Sequence, residues 1–405
     1  MGKLIVPEEA RMGLQIRRVL SLAVASSLLF GSSAFAQSNA LARNECLPSS
    51  PFPCSTPEDE GLDPFVLEAF MNDVAWWGEQ GRIVGGELLV IVNRRIVWHQ
   101  AIGWSDRDRR VPLERNSIYR IRSMTKPFTG AAILILAEEG RLDLDDPVAG
   151  YLTSFDNERS GAITIRELIT HGAGFEQTRF PEGYWARPDL RSAVDLVGEM
   201  GPPNPPGDSY RYSDHNSATL GAIVAEVTGA PAEEFIRARI LEPLALRDTH
   251  AYFAPDSAWA PRVNSTYGTR TNGPLERYWD NTMPQQTPWF RASGGLYSTV
   301  IDYARWLSVW MDLGEFEGGR LLEEATVREA LAQGYSPGYG MHWERFSGPE
   351  GDTGLPRFGH SGSDGTFAIA FPGVDAMVLY FTQSRGARIV WSEAMRRIPT
   401  LVGLE

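Results

Sequence analysis

Residues 122–137 read Arg122-Ser123-Met124-Thr125-Lys126-Pro127-Phe128-Thr129-Gly130-Ala131-Ala132-Ile133-Leu134-Ile135-Leu136-Ala137, and this stretch decides the fold. From Phe128 to Ala137 the side chains are apolar almost all round, and Gly140 ends the run. A helix with no polar face must be covered on every side, so it is expected at the centre of the molecule. Pro127 clashes with a helical carbonyl four residues back, so the helix begins no earlier than about Ser123. That puts Ser123 on the first turn, at the positive end of the helix dipole, with Lys126 on the same face. A serine hydroxyl needs a neighbouring base, and a lysine amine serves if burial or a nearby cation lowers its pKa. Ser-x-x-Lys alone is a weak pattern. Composition strengthens it: of 38 basic residues only Lys3 and Lys126 are lysines, and arginine cannot act as a base.

Working outward, Asp63–Glu79 has Val66, Leu67, Phe70, Met71, Val74 and Trp77 spaced for one helical face. Glu87–Asn93 and Ile96–Gly103 read as a hairpin turning at Arg94-Arg95. Strand patterns return at Thr366–Phe371 and Ala376–Thr382, before a last helix around Ile389–Ile398. Between them lie helical pieces and long loops, including Gly201-Pro-Pro-Asn-Pro-Pro-Gly207, which cannot be regular structure. The expected fold is α/β (α+β): an antiparallel sheet flanked by the N- and C-terminal helices, with a mostly helical insert. The sheet region covers about 61–120 and 290–405, and the insert about 125–288.

Residues 12–36 combine Arg17-Arg18, an apolar run from Val19 to Phe30 and a small-x-small site at Ala34-Phe35-Ala36. This is the pattern of a secretory signal peptide, cleaved after Ala36. Glu8 and Glu9 sit awkwardly in such a segment and favour Met12 as the start. Removing residues 1–36 takes away four basic and two acidic residues and changes the net charge from −13 to −15. That charge excludes nucleic acid as a partner and gives no reason to expect a stable membrane anchor. Cys46 and Cys54, the only cysteines, are expected to form a local disulfide in the lead 37–60. None of the six histidines forms a ligand pair, so neither metal nor other cofactor is expected.

Two further stretches carry chemistry. Tyr210-Arg211-Tyr212-Ser213-Asp214 leads into a helix over 216–229. If Tyr212 meets Ser123 and Lys126, a Tyr–Lys pair lowers the phenol pKa and supplies a proton shuttle. Phe358-Gly359-His360-Ser361-Gly362-Ser363 lies on a strand entering the C-terminal sheet. Gly362 would let the backbone approach a substrate, and the Ser363 N–H would be half of an oxyanion hole.

At these three places the chain resembles the serine β-lactamase and penicillin-binding-protein superfamily. Within it, the likeness is to the class C-like branch holding family VIII carboxylesterases and D-aminopeptidases. Ile163–Gly174, Ala292–Thr299 and Tyr339–Trp343 extend the resemblance, which runs from about residue 60 to 400. It implies Ser123 as nucleophile, Lys126 as base or proton shuttle, and Tyr212 as partner base and leaving-group acid. It also implies an oxyanion hole from the N–H groups of Ser123 and Ser363. Two departures bear on substrate. Asp214 stands where the β-lactamase pattern has Asn, and lacks the amide donor. His360-Ser361-Gly362 stands for Lys-Thr-Gly, and a neutral histidine anchors a carboxylate poorly.

The expectation is therefore an exported serine hydrolase, a carboxylesterase acting on small esters. The alternatives are a D-amino-acid peptidase or amidase, a weak β-lactamase, and a cell-wall-peptide binder that acylates without turnover. Gly334-Tyr335-Ser336-Pro337-Gly338 matches G-x-S-x-G, but Pro337 has no N–H for the oxyanion, so Ser336 reads as loop. His171 reads as a brace for its glycine-rich turn. Tyr184, Trp185, Trp279, Trp289 and Phe290 are candidates to line an acyl pocket.

Overall fold

The computed structural model describes residues 50–404 except 116, 270–272 and 349–352. The expected signal peptide and Cys46 lie outside the described residues. Cys54 is disulfide-bonded.

Seven antiparallel strands form the main sheet. In chain order they are β1 (Gly85–Val92), β2 (Arg95–Asp106), β3 (Val111–Pro112), β4 (Glu344–Phe346), β5 (Arg357–Ser361), β6 (Phe367–Phe371) and β7 (Ala376–Phe381). Across the sheet the order is β4-β5-β6-β7-β1-β2-β3, so the first strand pairs with the last at the centre. Leu88 faces Tyr380 and Leu89 faces Leu379 across that seam. Every residue of β1 is buried, because both faces of the sheet are covered. The hairpin turn falls one residue earlier than expected: Asn93 and Arg94 take φ of 49° and 61°, the left-handed pair that suits a two-residue hairpin.

One face of the sheet, with Leu88, Val90, Val378 and Tyr380, packs on helix α1 (Pro64–Glu79) and the C-terminal segment. Asp63 caps α1 by accepting from the Phe65 N–H, and Pro64 occupies its first position. The other face, with Leu89, Ile91, Leu379 and Phe381, packs on the larger helical region. There α2 (Lys126–Glu138) is buried from Lys126 through Leu136, as its apolar composition requires. Helix α3 (Asp214–Thr228) lies against α2, and α4 (Val300–Met311) covers β1, β6 and β7. Helix α5 (Arg388–Arg397) closes the first layer beside α1.

Two features add detail to the expected division of the chain. The stretch 125–288 is not wholly helical: Thr266–Gly268 and Glu276–Trp279 form a small sheet with Ser384–Arg385. Helix α4 lies inside the stretch read as sheet, because its indole and tyrosine faces fill the space between sheet and α2.

Candidate active site

Ser123 lies in a 3₁₀ turn, Arg122–Thr125, that runs directly into α2. Lys126 is the first residue of that helix and is fully buried. Its Nζ donates to Asp214 Oδ1 at 2.7 Å, to the Ser293 carbonyl at 3.0 Å and to Ser123 Oγ at 3.3 Å. It also lies 4.7 Å from the centre of the Tyr212 ring. Burial works against the ammonium charge, yet the Asp214 carboxylate and Tyr212 outweigh it and hold the Lys126 pKa above the ordinary lysine value. Tyr212 hydrogen-bonds both Lys126 and Ser123. Its phenol is nevertheless raised, because burial and the Asp214 charge outweigh the lysine. This corrects the expectation of a lowered phenol pKa. The resting site holds an ammonium, a carboxylate and a neutral phenol around the serine.

A buried clamp joins the serine turn to the loop after β5. Arg122 Nε donates to Asp364 Oδ2 at 2.5 Å, and Tyr278 OH donates to Asp364 Oδ1 at 2.8 Å. Arg122 takes a φ of +50°, a conformation unfavourable for a residue with a side chain. This pair, 242 residues apart in the chain, ties the adjoining Ser123 and Ser363 to one another. Two cavities, of about 980 and 590 Å³, share Ser123, Ser363 and Arg385 in their walls. The larger also meets Tyr212, Ser361 and Glu344, and the smaller meets Gln177, Trp185, Asp214 and Arg291.

Comparison with known proteins places this arrangement. The Beta-lactamase family profile matches residues 66–396. The chain belongs to the beta-lactamase family. It is 28% identical over 359 residues to Protein Rv1367c of Mycobacterium tuberculosis, covering 75% of this chain and 87% of that protein. Its beta-lactamase fold is similar to that of EstCE1, described as a hydrolase with promiscuous acyltransferase activity. The TM-score is 0.67 at 20% identity, over 81% of this chain and 98% of that one. It is also similar to the D-amino acid amidase from Ochrobactrum anthropi SV3 complexed with D-phenylalanine. There the TM-score is 0.64 at 20% identity, over 82% and 99% of the two chains.

Within this beta-lactamase-family chain, Ser123, Lys126, Tyr212, Asp214 and Ser363 come together. A second expectation needs correction. His360 does not line either cavity: it is buried behind Tyr212, with Nε2 3.0 Å from Tyr339 OH and Nδ1 2.8 Å from the Ser361 carbonyl. Burial lowers its pKa, so it is a neutral packing residue. Gly362 lines the larger cavity beside Ser123, and it also serves a second close approach. A Cβ there would stand 2.4 Å from the Ile121 carbonyl oxygen, so the glycine lets the β5 loop seat on the serine turn. Asp214 lines the smaller cavity and is held there by Lys126 and, at 3.4 Å, by Arg291.

Of the five candidate aromatics only Trp185 reaches a cavity wall. Trp289 stacks behind it, and Trp279 lies under Arg120. His171 braces the Tyr212 segment: its Nδ1 accepts from Asn216 Nδ2 at 2.7 Å and from the Ser213 N–H at 3.4 Å. Ser336 sits in an exposed turn, where its Oγ accepts from the Gly338 N–H. Sequence reasoning missed Arg122, Asp364, Glu344 and Arg291. The first two adjoin Ser123 and Ser363, and their opposite charges were the available signal.

Proposed function

We propose that this chain is a serine hydrolase that cleaves small carboxylic esters through an acyl-enzyme on Ser123. The observation that carries the reading is the Ser123 hydroxyl, 3.3 Å from a buried lysine amine and shared by two cavities large enough for the two arms of a substrate. In this reading Ser123 Oγ attacks the scissile carbonyl, and its proton passes into the coupled Lys126–Asp214–Tyr212 group. Tyr212, bonded to both partners, returns a proton to the leaving alcohol. The N–H groups of Ser123 and Ser363 receive the oxyanion, at a spacing kept by the Arg122–Asp364 clamp.

A second reading, hydrolysis of a D-amino acid amide, draws support from Glu344. Its carboxylate stands in the wall of the larger cavity and would take a substrate ammonium. Turnover of p-nitrophenyl butyrate, nitrocefin and D-alanine amide separates the readings, with the ester expected to be fastest. A fluorophosphonate probe should label Ser123 and fail on Ser123→Ala. Labelling that survives this change, or maps to Ser336, overturns the assignment. Export is part of the proposal, on the pattern of residues 12–36, and a mature N-terminus at Gln37 would support it.

A further inference from the structure

Adjoining the 590 Å³ cavity is a niche of about 20 Å³ walled by Arg120, Arg122, Gln286 and Arg291. That is room for about one water-sized group. Its charges do not balance. Arg122 is matched by Asp364, and Lys126 by Asp214. Arg291 reaches Asp214 only at 3.4 Å, on a carboxylate already bonded to the lysine, and its guanidinium lies 5.0 Å from the centre of the Trp185 ring. Arg120 is 8% exposed and pairs with no carboxylate among the described residues. Its Nη2 donates to Gln286 Oε1 at 3.3 Å, its Nη1 is buried without a partner, and its guanidinium lies over Trp279. Arg385, 3.7 Å from Asp364, adds another cation to the cavity wall.

Asp364 offsets Arg120 only from beyond ion-pair distance and is itself bonded to Arg122, so a largely buried guanidinium with an unpartnered Nη1 attracts an anion brought beside it. The chain as a whole carries −13, so this concentration of positive charge runs against its composition. We propose that the niche is an anion subsite and that one arm of the substrate ends in a carboxylate seated between Arg120 and Arg291. A carboxylate can enter the niche with one oxygen and leave the other in the adjoining cavity, within the reach of a second guanidinium. This deepens the hydrolase reading and rests on it. It also gives the 590 Å³ cavity a direction, with the scissile carbonyl at Ser123 and the anion at the far wall.

The test uses monomethyl glutarate and methyl valerate, esters that differ by a terminal carboxylate in place of a methyl group. Calorimetric titration of the Ser123→Ala protein should show the glutarate bound tighter by roughly tenfold or more. Gln286→Glu, at an exposed position, supplies the niche with its own anion and should bring that preference close to one. Arg120→Gln should do the same. Equal binding of the two esters by Ser123→Ala overturns the subsite, as does a preference that survives both substitutions in folded protein. Hydrolysis by the wild type separates this from the hydrolase reading. Ester turnover without a binding preference removes only the subsite, and a preference without turnover or fluorophosphonate labelling removes only the hydrolase.

Discussion

With Asp214 Oδ1 2.7 Å from Lys126 Nζ, the lysine rests protonated, and the serine gains a base only as that proton leaves. Asparagine at 214 would keep the shape and remove the charge. Burial then becomes the dominant influence on Lys126 and lowers its pKa. A group that must lose its proton to act sets the acid limb of a rate profile, so this limb should move to lower pH in Asp214→Asn. Profiles of kcat/KM for both proteins on one neutral ester check this, and an unmoved limb would show that another group titrates. The same carboxylate explains why buried Lys126 and partly buried Arg291 can stand side by side. Charge relations of this kind are not local in sequence: Lys126 and Asp214 stand 88 residues apart, and Arg122 and Asp364 stand 242 apart. For Arg122 and Asp364 the one local signal is opposite charge beside Ser123 and Ser363.

Strand β5 ends against the serine turn, and that contact depends on the missing side chain of Gly362. Alanine there would press its Cβ to 2.4 Å from the Ile121 carbonyl and 2.3 Å from Thr366 Oγ1. Gly362→Ala should therefore cost about 1–3 kcal/mol of stability, as overpacking does, and slow fluorophosphonate labelling of Ser123. Chemical denaturation and the labelling rate measure the two effects, and unchanged values in both would show that the loop moves away freely. The elements legible from pattern are those with one or two full apolar faces: α1, α2, β1, β6 and β7 all fall within two residues of expectation. Strands β3 and β4, with two and three residues, are too short to show a period, and only pairing with β2 and β5 defines them. Ser123, Lys126 and Tyr212 are legible as a group because each lies at a helix entrance of unusual composition. The direction of His360 is not, since the first residue of a short strand motif points to core or cavity according to register alone.

At the scale of the whole molecule, the sheet carries a buried polar pair: Glu87 on β1 and His99 on β2, 2.8 Å apart. Burial raises Glu87 well above its ordinary value and lowers His99 to about 3, so it favours the neutral form of each. The raised carboxyl stabilises the fold below the ordinary glutamate range, and this contribution is lost as pH rises through the raised value. The depressed histidine acts oppositely, with its contribution present above the ordinary histidine range and lost as pH falls toward 3. Glu87→Gln removes only the first effect. Its melting temperature relative to wild type should rise as pH climbs above the ordinary glutamate range, and a difference that stays constant would contradict the assignment. The seam beside this pair has a consequence for how the chain is made. Val84 bonds Ser384, 300 residues later, and β1 has only its hairpin partner until β7 exists. A hairpin alone is marginal in water, and closing so long a loop is slow. During synthesis the nascent chain therefore cannot complete its sheet before the C-terminal strand leaves the ribosome. If residues 12–36 direct export as proposed, that delay keeps the polypeptide threadable for as long as a translocation channel needs it to be.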